Sequence, residues 1–110
     1  MDRGPSFRLE VLDPPEPGCL VVALHGELDV DAADAVDRLS DLTDARLSLL
    51  TIDLRPLTFV DSTGVRALLV TLGRTRAAGV TLRIVRAGPR VQRVFELLCL
   101  DTVLPFVDPD

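Results

Sequence analysis

The stretch Leu49-Leu50-Thr51-Ile52-Asp53-Leu54, then Arg55 to Val60, then Asp61-Ser62-Thr63-Gly64, decides how this chain is read. The first six residues are an apolar run of strand length, and Pro56 stops it. Val65 to Ala78 is a strongly apolar helical segment, closed by Gly79 as a left-handed cap. A strand, a short connector and a helix put Ser62 at the positive end of that helix. Its hydroxyl is accessible, yet the chain offers no base to make it a nucleophile. Ser62 therefore reads as a serine acted upon by another protein.

Toward the N-terminus, Phe7 to Leu12 alternates apolar residues with Arg8 and Glu10, as a half-buried strand does. Asp13 to Gly18 is a Pro-rich turn. Cys19 to His25 is a nearly continuous apolar run, expected of a strand covered on both faces and paired antiparallel with the first. Gly26-Glu27-Leu28-Asp29 follows. As a bare strand-to-helix turn, Gly relaxes the backbone and Asp caps; as a recognition loop, the same residues face a partner. The turn is the simpler reading. Asp31 is placed to cap a helix running to about Leu47, with Ala32, Ala35, Val36, Leu39 and Leu42 on one stripe and Asp34, Asp37 and Asp41 on the acidic side.

Toward the C-terminus, Thr81 to Val85 is a strand. Gly88-Pro89 opens a helix with Val91, Val94, Phe95 and Leu98 at i, i+3, i+4 and i+7. Val103 to Val107 is a short last strand. The order β-β-α-β-α-β-α-β predicts an α/β domain with a mainly parallel or mixed sheet. One domain is expected over residues 1–110, with its core at about 7–107. A chain of this length buries roughly two-thirds of its unfolded surface, enough for a core without staples.

Composition excludes several functions. The net charge is −5, with twelve Arg and no Lys, which argues against nucleic acid as a partner. Without Lys there is no Schiff base and no P-loop lysine. Without Tyr or Trp there are no stacking platforms for bases or sugars. Cys19 and Cys99, far apart, are expected to be buried thiols in a reducing compartment. One His and two unclustered Cys argue against a zinc site. Met1 to Gly18 lacks a secretory pattern and the apolar run Cys19 to Leu24 is too short for a membrane span, so a cytoplasmic location is expected.

Chemistry at Ser62 is weighed against simpler roles. If Val65 lies in the first helical turn, Ser62 stands near the N-cap, worth ~1 kcal/mol. Spacing alone favours that cap. Phosphorylation is the functional reading: the helix dipole favours a phosphate there. The phosphate would add about two charges to a surface already carrying Asp61, Glu27 and Asp29. A hydrolase is disfavoured, because no Gly precedes Ser62 as a nucleophile elbow requires. His25, after an apolar strand, suits a satisfied structural role. An aspartic-protease motif has one residue between Asp and Gly, whereas here there are two, with no second copy. A response-regulator phospho-acceptor at Asp53 would need a Lys and an acidic pair that are missing. Asp53 is expected to partner a local Arg or a backbone N–H.

Taken together, Gly26-Glu27-Leu28-Asp29, the strand Leu49 to Leu54 leading to Phe59-Val60-Asp61-Ser62-Thr63-Gly64-Val65, and Leu82-Arg83-Ile84-Val85 before the helix Val91 to Leu98 resemble the STAS domain family. The resemblance spans Phe7 to Val107 and is to its anti-sigma factor antagonist branch. It implies a four- or five-stranded mixed β-sheet with about three to four helices packed mainly on one face. It implies that Ser62 is the phosphorylation site. It implies a non-enzymatic protein, without cofactor or metal, that works by partner switching in a bacterial stress response. Unphosphorylated, it would bind an anti-sigma factor/serine kinase and free a sigma factor; phosphorylation would break the complex, and a PP2C-type phosphatase would reset it. The docking surface would comprise Gly26, Glu27, Asp29, Asp61, Ser62, Thr63, Gly64 and Arg66. The motif departs from the family's common Gly-Leu-Gly at Gly64-Val65-Arg66, where Arg66 puts a cation in the first turn. The alternative is a STAS scaffold subunit of a stress-signalling or lipid-transport complex not controlled through sigma. A monomer is expected, with dimerisation through an uncovered sheet edge as the other option.

Overall fold

The computed structural model describes residues 6–12, 16–39 and 47–109. Among them, six strands and three helices follow one another: β1 (Phe7–Leu12), β2 (Cys19–Leu28), α1 (Val30–Asp37), β3 (Leu49–Asp53), β4 (Leu57–Val60), α2 (Ser62–Ala78), β5 (Thr81–Val85), α3 (Pro89–Leu97) and β6 (Phe106–Val107). They form one mixed sheet of order β1-β2-β3-β5-β6, with β4 on β2. Only β1 and β2 pair antiparallel; the other pairings are parallel.

Alternation along the strands decides which face is covered. Val22 and Leu24 of β2, Leu50 and Ile52 of β3, and Leu82 and Ile84 of β5 are buried in one apolar cluster. They are joined there by Ala32, Ala33 and Val36 of α1, Val65, Leu68 and Leu72 of α2, and Val91 and Phe95 of α3. The helices thus pack on a single face, as expected of the fold. Each buried Leu contributes ~1.5–3 kcal/mol. Phe95, fully buried, meets Phe106 edge-to-face at 5.1 Å between ring centroids and ties α3 to β6. The opposite face presents Val21, Thr51, Asp53, Arg83, Val85 and Val107 to a cleft of about 350 Å³. Among the described residues no helix covers that face.

Several boundaries differ from the sequence-based expectation. β4 falls where a connector is predicted. β2 reaches Leu28 rather than His25, and its last three residues pair with β4. The helical cap before α1 is Asp29, not Asp31: its carboxylate accepts from the backbone N–H of Asp31 at 3.0 Å and of Ala32 at 3.2 Å. α1 ends at Asp37, and Leu47 is not helical; residues 40–46, including Leu42 and Asp41, lie outside the described residues. α3 ends at Leu97, so Leu98 is its C-cap and half exposed instead of joining the apolar face. The chain then turns at Cys99 with φ +58°. There the N–H of Leu100 returns to the Phe95 carbonyl at 2.8 Å. That turn leaves the Cys99 thiol exposed, and Cys19 is half-buried; neither is the buried thiol expected, and both are free.

Candidate functional site

The site is assembled by two parallel strands in register. Glu27 of β2 stands beside Phe59 of β4, and Leu28 beside Val60. Each strand ends there and gives way to a helix one residue later. Asp29 caps α1 and Asp61 caps α2. The register therefore sets the two capping aspartates, and the starts of the two helices, side by side. The N–H of Asp61 is bonded back to the Leu28 carbonyl at 3.3 Å.

Gly64 makes this approach close. A Cβ at that position would lie 2.4 Å from the Leu28 carbonyl oxygen and 2.8 Å from its Cγ. Only a residue without a side chain lets the first turn of α2 lie on the end of β2. Gly26 has the matching role on the other side. Its φ is +88°, the β2–β4 register shifts at this point, and a Cβ would meet the Ser6 carbonyl oxygen. Its N–H donates to the Pro56 carbonyl at 3.3 Å, so the bulge in β2 accepts the turn that separates β3 from β4.

Ser62 is the first residue of α2, not its cap. The cap is Asp61, whose Oδ1 accepts the N–H of Gly64 at 3.0 Å. The backbone of Asp61 is extended there, and its carboxylate satisfies an orphan donor of the first turn. Ser62 is exposed, and among the described residues its hydroxyl has no hydrogen bond. Thr63 is half-buried and turns toward α1. Glu27 and Arg66 are exposed. Arg66, Thr63, Ala67 and Val70 of α2 face Val30, Ala33, Asp34 and Asp37 of α1 across a groove of about 290 Å³. Arg66 makes no ion pair with Asp61, Glu27 or Asp29. Of the eight residues proposed from the sequence, Glu27, Asp29, Asp61, Ser62, Thr63, Gly64 and Arg66 thus lie on or beside the two helix starts, and Gly26 lies in the bulge of β2 opposite Leu57. Residues the sequence reading missed are Val30 and Phe59, apolar yet 64 % and 47 % exposed on the flanks of Ser62. Phe59 stands in the stretch that carries the family resemblance, but only solvent exposure marks either residue as surface.

The other candidate chemistry is elsewhere. Asp53 is 7 % exposed. Its carboxylate accepts from the Arg55 N–H at 2.9 Å, from Nε and from Nη2 at 2.8 Å. Burial pushes its pKa up, but the Arg55 bonds and charge outweigh that and hold it below its ordinary 3.8. Both partners anticipated for Asp53, a local Arg and a backbone N–H, are present in Arg55. His25 Nε2 lies 2.8 Å from Glu10 Oε1 across the β1–β2 pair, a satisfied structural contact. Among the described residues no cluster of His, Cys, Asp and Glu suits a metal ion. No helix is long and apolar enough to cross a membrane among those residues.

A mixed sheet with helices on one face, and a serine beside a capping aspartate at the junction of β4 and α2, define a small α/β domain of one sheet and one helical layer. The STAS domain profile matches residues 13–108, and the chain belongs to that family. No curated protein sequence matches it. An anti-sigma factor antagonist from Mycobacterium paratuberculosis is similar in structure, with a TM-score of 0.78 and 28% identity over 96% of this chain and 87% of that one. The phosphorylated form of the Bacillus cell fate determinant SpoIIAA superposes with a TM-score of 0.71 at 19% identity, over 94% and 92% of the two chains. A sulfate transporter family protein from Wolinella succinogenes gives 0.75 at 17%, over 88% and 80%.

Proposed function

We propose that this protein is an anti-sigma factor antagonist controlled by phosphorylation of Ser62. Unphosphorylated, it binds an anti-sigma factor that is also a serine kinase, and so frees a sigma factor. One observation carries the reading. Asp61 holds the helix cap, which leaves Ser62 exposed and structurally idle beside two helix starts. The similarity to the mycobacterial antagonist supports it.

The kinase would supply ATP. Ser62 Oγ attacks the γ-phosphorus, the bond from that phosphorus to the ADP oxygen breaks, and the hydroxyl proton passes to a base on the kinase. The phosphate brings about two negative charges to a surface where Asp29, Asp61 and Glu27 already stand. A partner must then desolvate or repel it. A penalty of ~3–4 kcal/mol weakens binding by two to three orders of magnitude. A PP2C-type phosphatase resets the switch. Gly26 and Gly64 shape the surface, and Glu27, Asp29, Thr63 and Arg66 face the partner. The reading places the protein in the cytoplasm, in bacterial stress-responsive transcription.

The test is capture from native-host lysate on wild-type, Ser62→Ala and Ser62→Asp baits, with mass spectrometry of what binds. A serine kinase of the anti-sigma type held by the Ala form and lost with Asp is the expected result. The likeness to a sulfate transporter family protein favours a second reading, a scaffold with a constant partner. The same non-kinase protein on all three baits would establish that reading and end the first.

A further inference from the structure

Arg66 is a cation with no counter-charge in hand: it is exposed, and among the described residues it makes no ion pair or hydrogen bond. It stands four residues after Ser62 on α2, so both side chains lie on one strip of helix surface, with Cβ atoms about 5–6 Å apart. Helical side chains lean toward the N-terminus, which puts the turn that holds Ser62 within reach of the long Arg66 side chain. Anion before cation at this spacing is the favourable order. None of the carboxylates nearby is bonded to Arg66. Asp61 serves the Gly64 N–H and Asp29 serves the first turn of α1. Asp34 and Asp37 lie across the groove without an ion pair to Arg66. A serine hydroxyl gives Arg66 nothing to pair with, whereas a phosphoserine presents two charges and three acceptor oxygens to a planar guanidinium fork.

We propose that Arg66 is the intramolecular phosphate ligand of Ser62. This rests on the reading of Ser62 as the phosphorylated residue and adds its consequence within the chain. On phosphorylation the guanidinium moves from the α1–α2 groove up one helical turn to the phosphate. Two surfaces change together. The phosphate is partly neutralised, and the groove loses the positive charge among its lining residues. A partner that reads the groove by charge meets a more acidic surface as well as a phosphate.

The experiment uses full-length protein with phosphoserine placed at position 62 during translation, so that neither kinase nor partner is needed. The phosphorus NMR signal is followed against pH for wild type, Arg66→Ala and Arg66→Lys, with far-UV circular dichroism to verify folding. An adjacent cation favours the dianion, so the second phosphate ionisation of wild type is expected about half a pH unit below that of Arg66→Ala. Arg66→Lys should fall between, and 1 M salt should shrink the difference. Coincident titration curves for wild type and Arg66→Ala would overturn the proposal. The capture experiment fails or succeeds separately. A titration difference without kinase release removes the sigma-linked reading and keeps the Arg66 contact, while kinase release with coincident curves does the reverse.

Discussion

Asp61 and Ser62 are adjacent, and the structure divides two tasks between them. The carboxylate of Asp61 takes the orphan N–H of Gly64, which frees the hydroxyl of Ser62 from structural duty. Asp61→Ala should therefore cost ~1 kcal/mol, seen as a fall of about 4–8 °C in Tm for a domain of this size. Ser62→Ala should leave Tm unchanged. Thermal melts of the two variants side by side check this, and equal losses would return the cap to Ser62. Asp53 gives a pH signature. Its folded-state ionisation lies below its ordinary value of 3.8, so its contribution is complete above that pH and is lost as pH falls through the depressed folded value. Asp53→Asn should be less stable than wild type at neutral pH, by about 1 kcal/mol given how exposed Arg55 is. The gap should close below about pH 4; a constant gap in melts run from pH 7 to pH 2 would contradict it.

At the scale of elements, β4 is the decisive piece. Its four residues read buried, exposed, exposed, buried, an i, i+3 spacing rather than the alternation of a strand, and Pro56 precedes it. It is a strand because β2 extends past β3 and offers a free edge from Gly26 to Leu28. That edge brings α2 against Leu28, and Gly64 is what the contact demands. Gly64→Ala would force its Cβ against a backbone oxygen that no rotamer can move. The expected cost is ~1–3 kcal/mol, with a displaced start of α2. Denaturant melts give the first, and weakened partner capture with Ser62 intact gives the second. Unchanged stability would mean the close approach is relaxed in solution.

At the scale of the molecule, three helices on one face of a mixed sheet make a single apolar cluster, reaching from Phe7 and Leu9 of β1 to Phe106 of β6. A domain with one such core should unfold in one cooperative step. Far-UV circular dichroism and amide NMR signals should give the same midpoint, since the chain has no Tyr or Trp to report. Phe95→Ala removes a fully buried ring from the junction of α3 and β6 and should cost ~3–5 kcal/mol. A loss under 1 kcal/mol in urea titration would show that β6 and α3 are not part of the cooperative unit.

The sequence by itself determined the fold class and most of the elements, and it pointed to the helix start at Ser62 as the candidate site. Hydrophobic period, Pro56, Gly79 and the Gly88-Pro89 pair act locally, within a few residues of where they stand. It did not decide which aspartate caps α1, because Asp29 and Asp31 are both good caps; Leu28 ending β2 beside Val60 settled it for Asp29. Nor did it show that Ser62 is free of the cap, that Gly64 is fixed by contact with Leu28, or that Cys99 is exposed. The Asp29 cap and the Gly64 contact depend on groups distant in the chain being brought into register, so a one-residue slip of β4 along β2 would change both. The Asp61 cap and the turn at Cys99 are instead local geometry that spacing alone did not fix. Local preference writes the elements; the pairing of β2 with β4 places the serine.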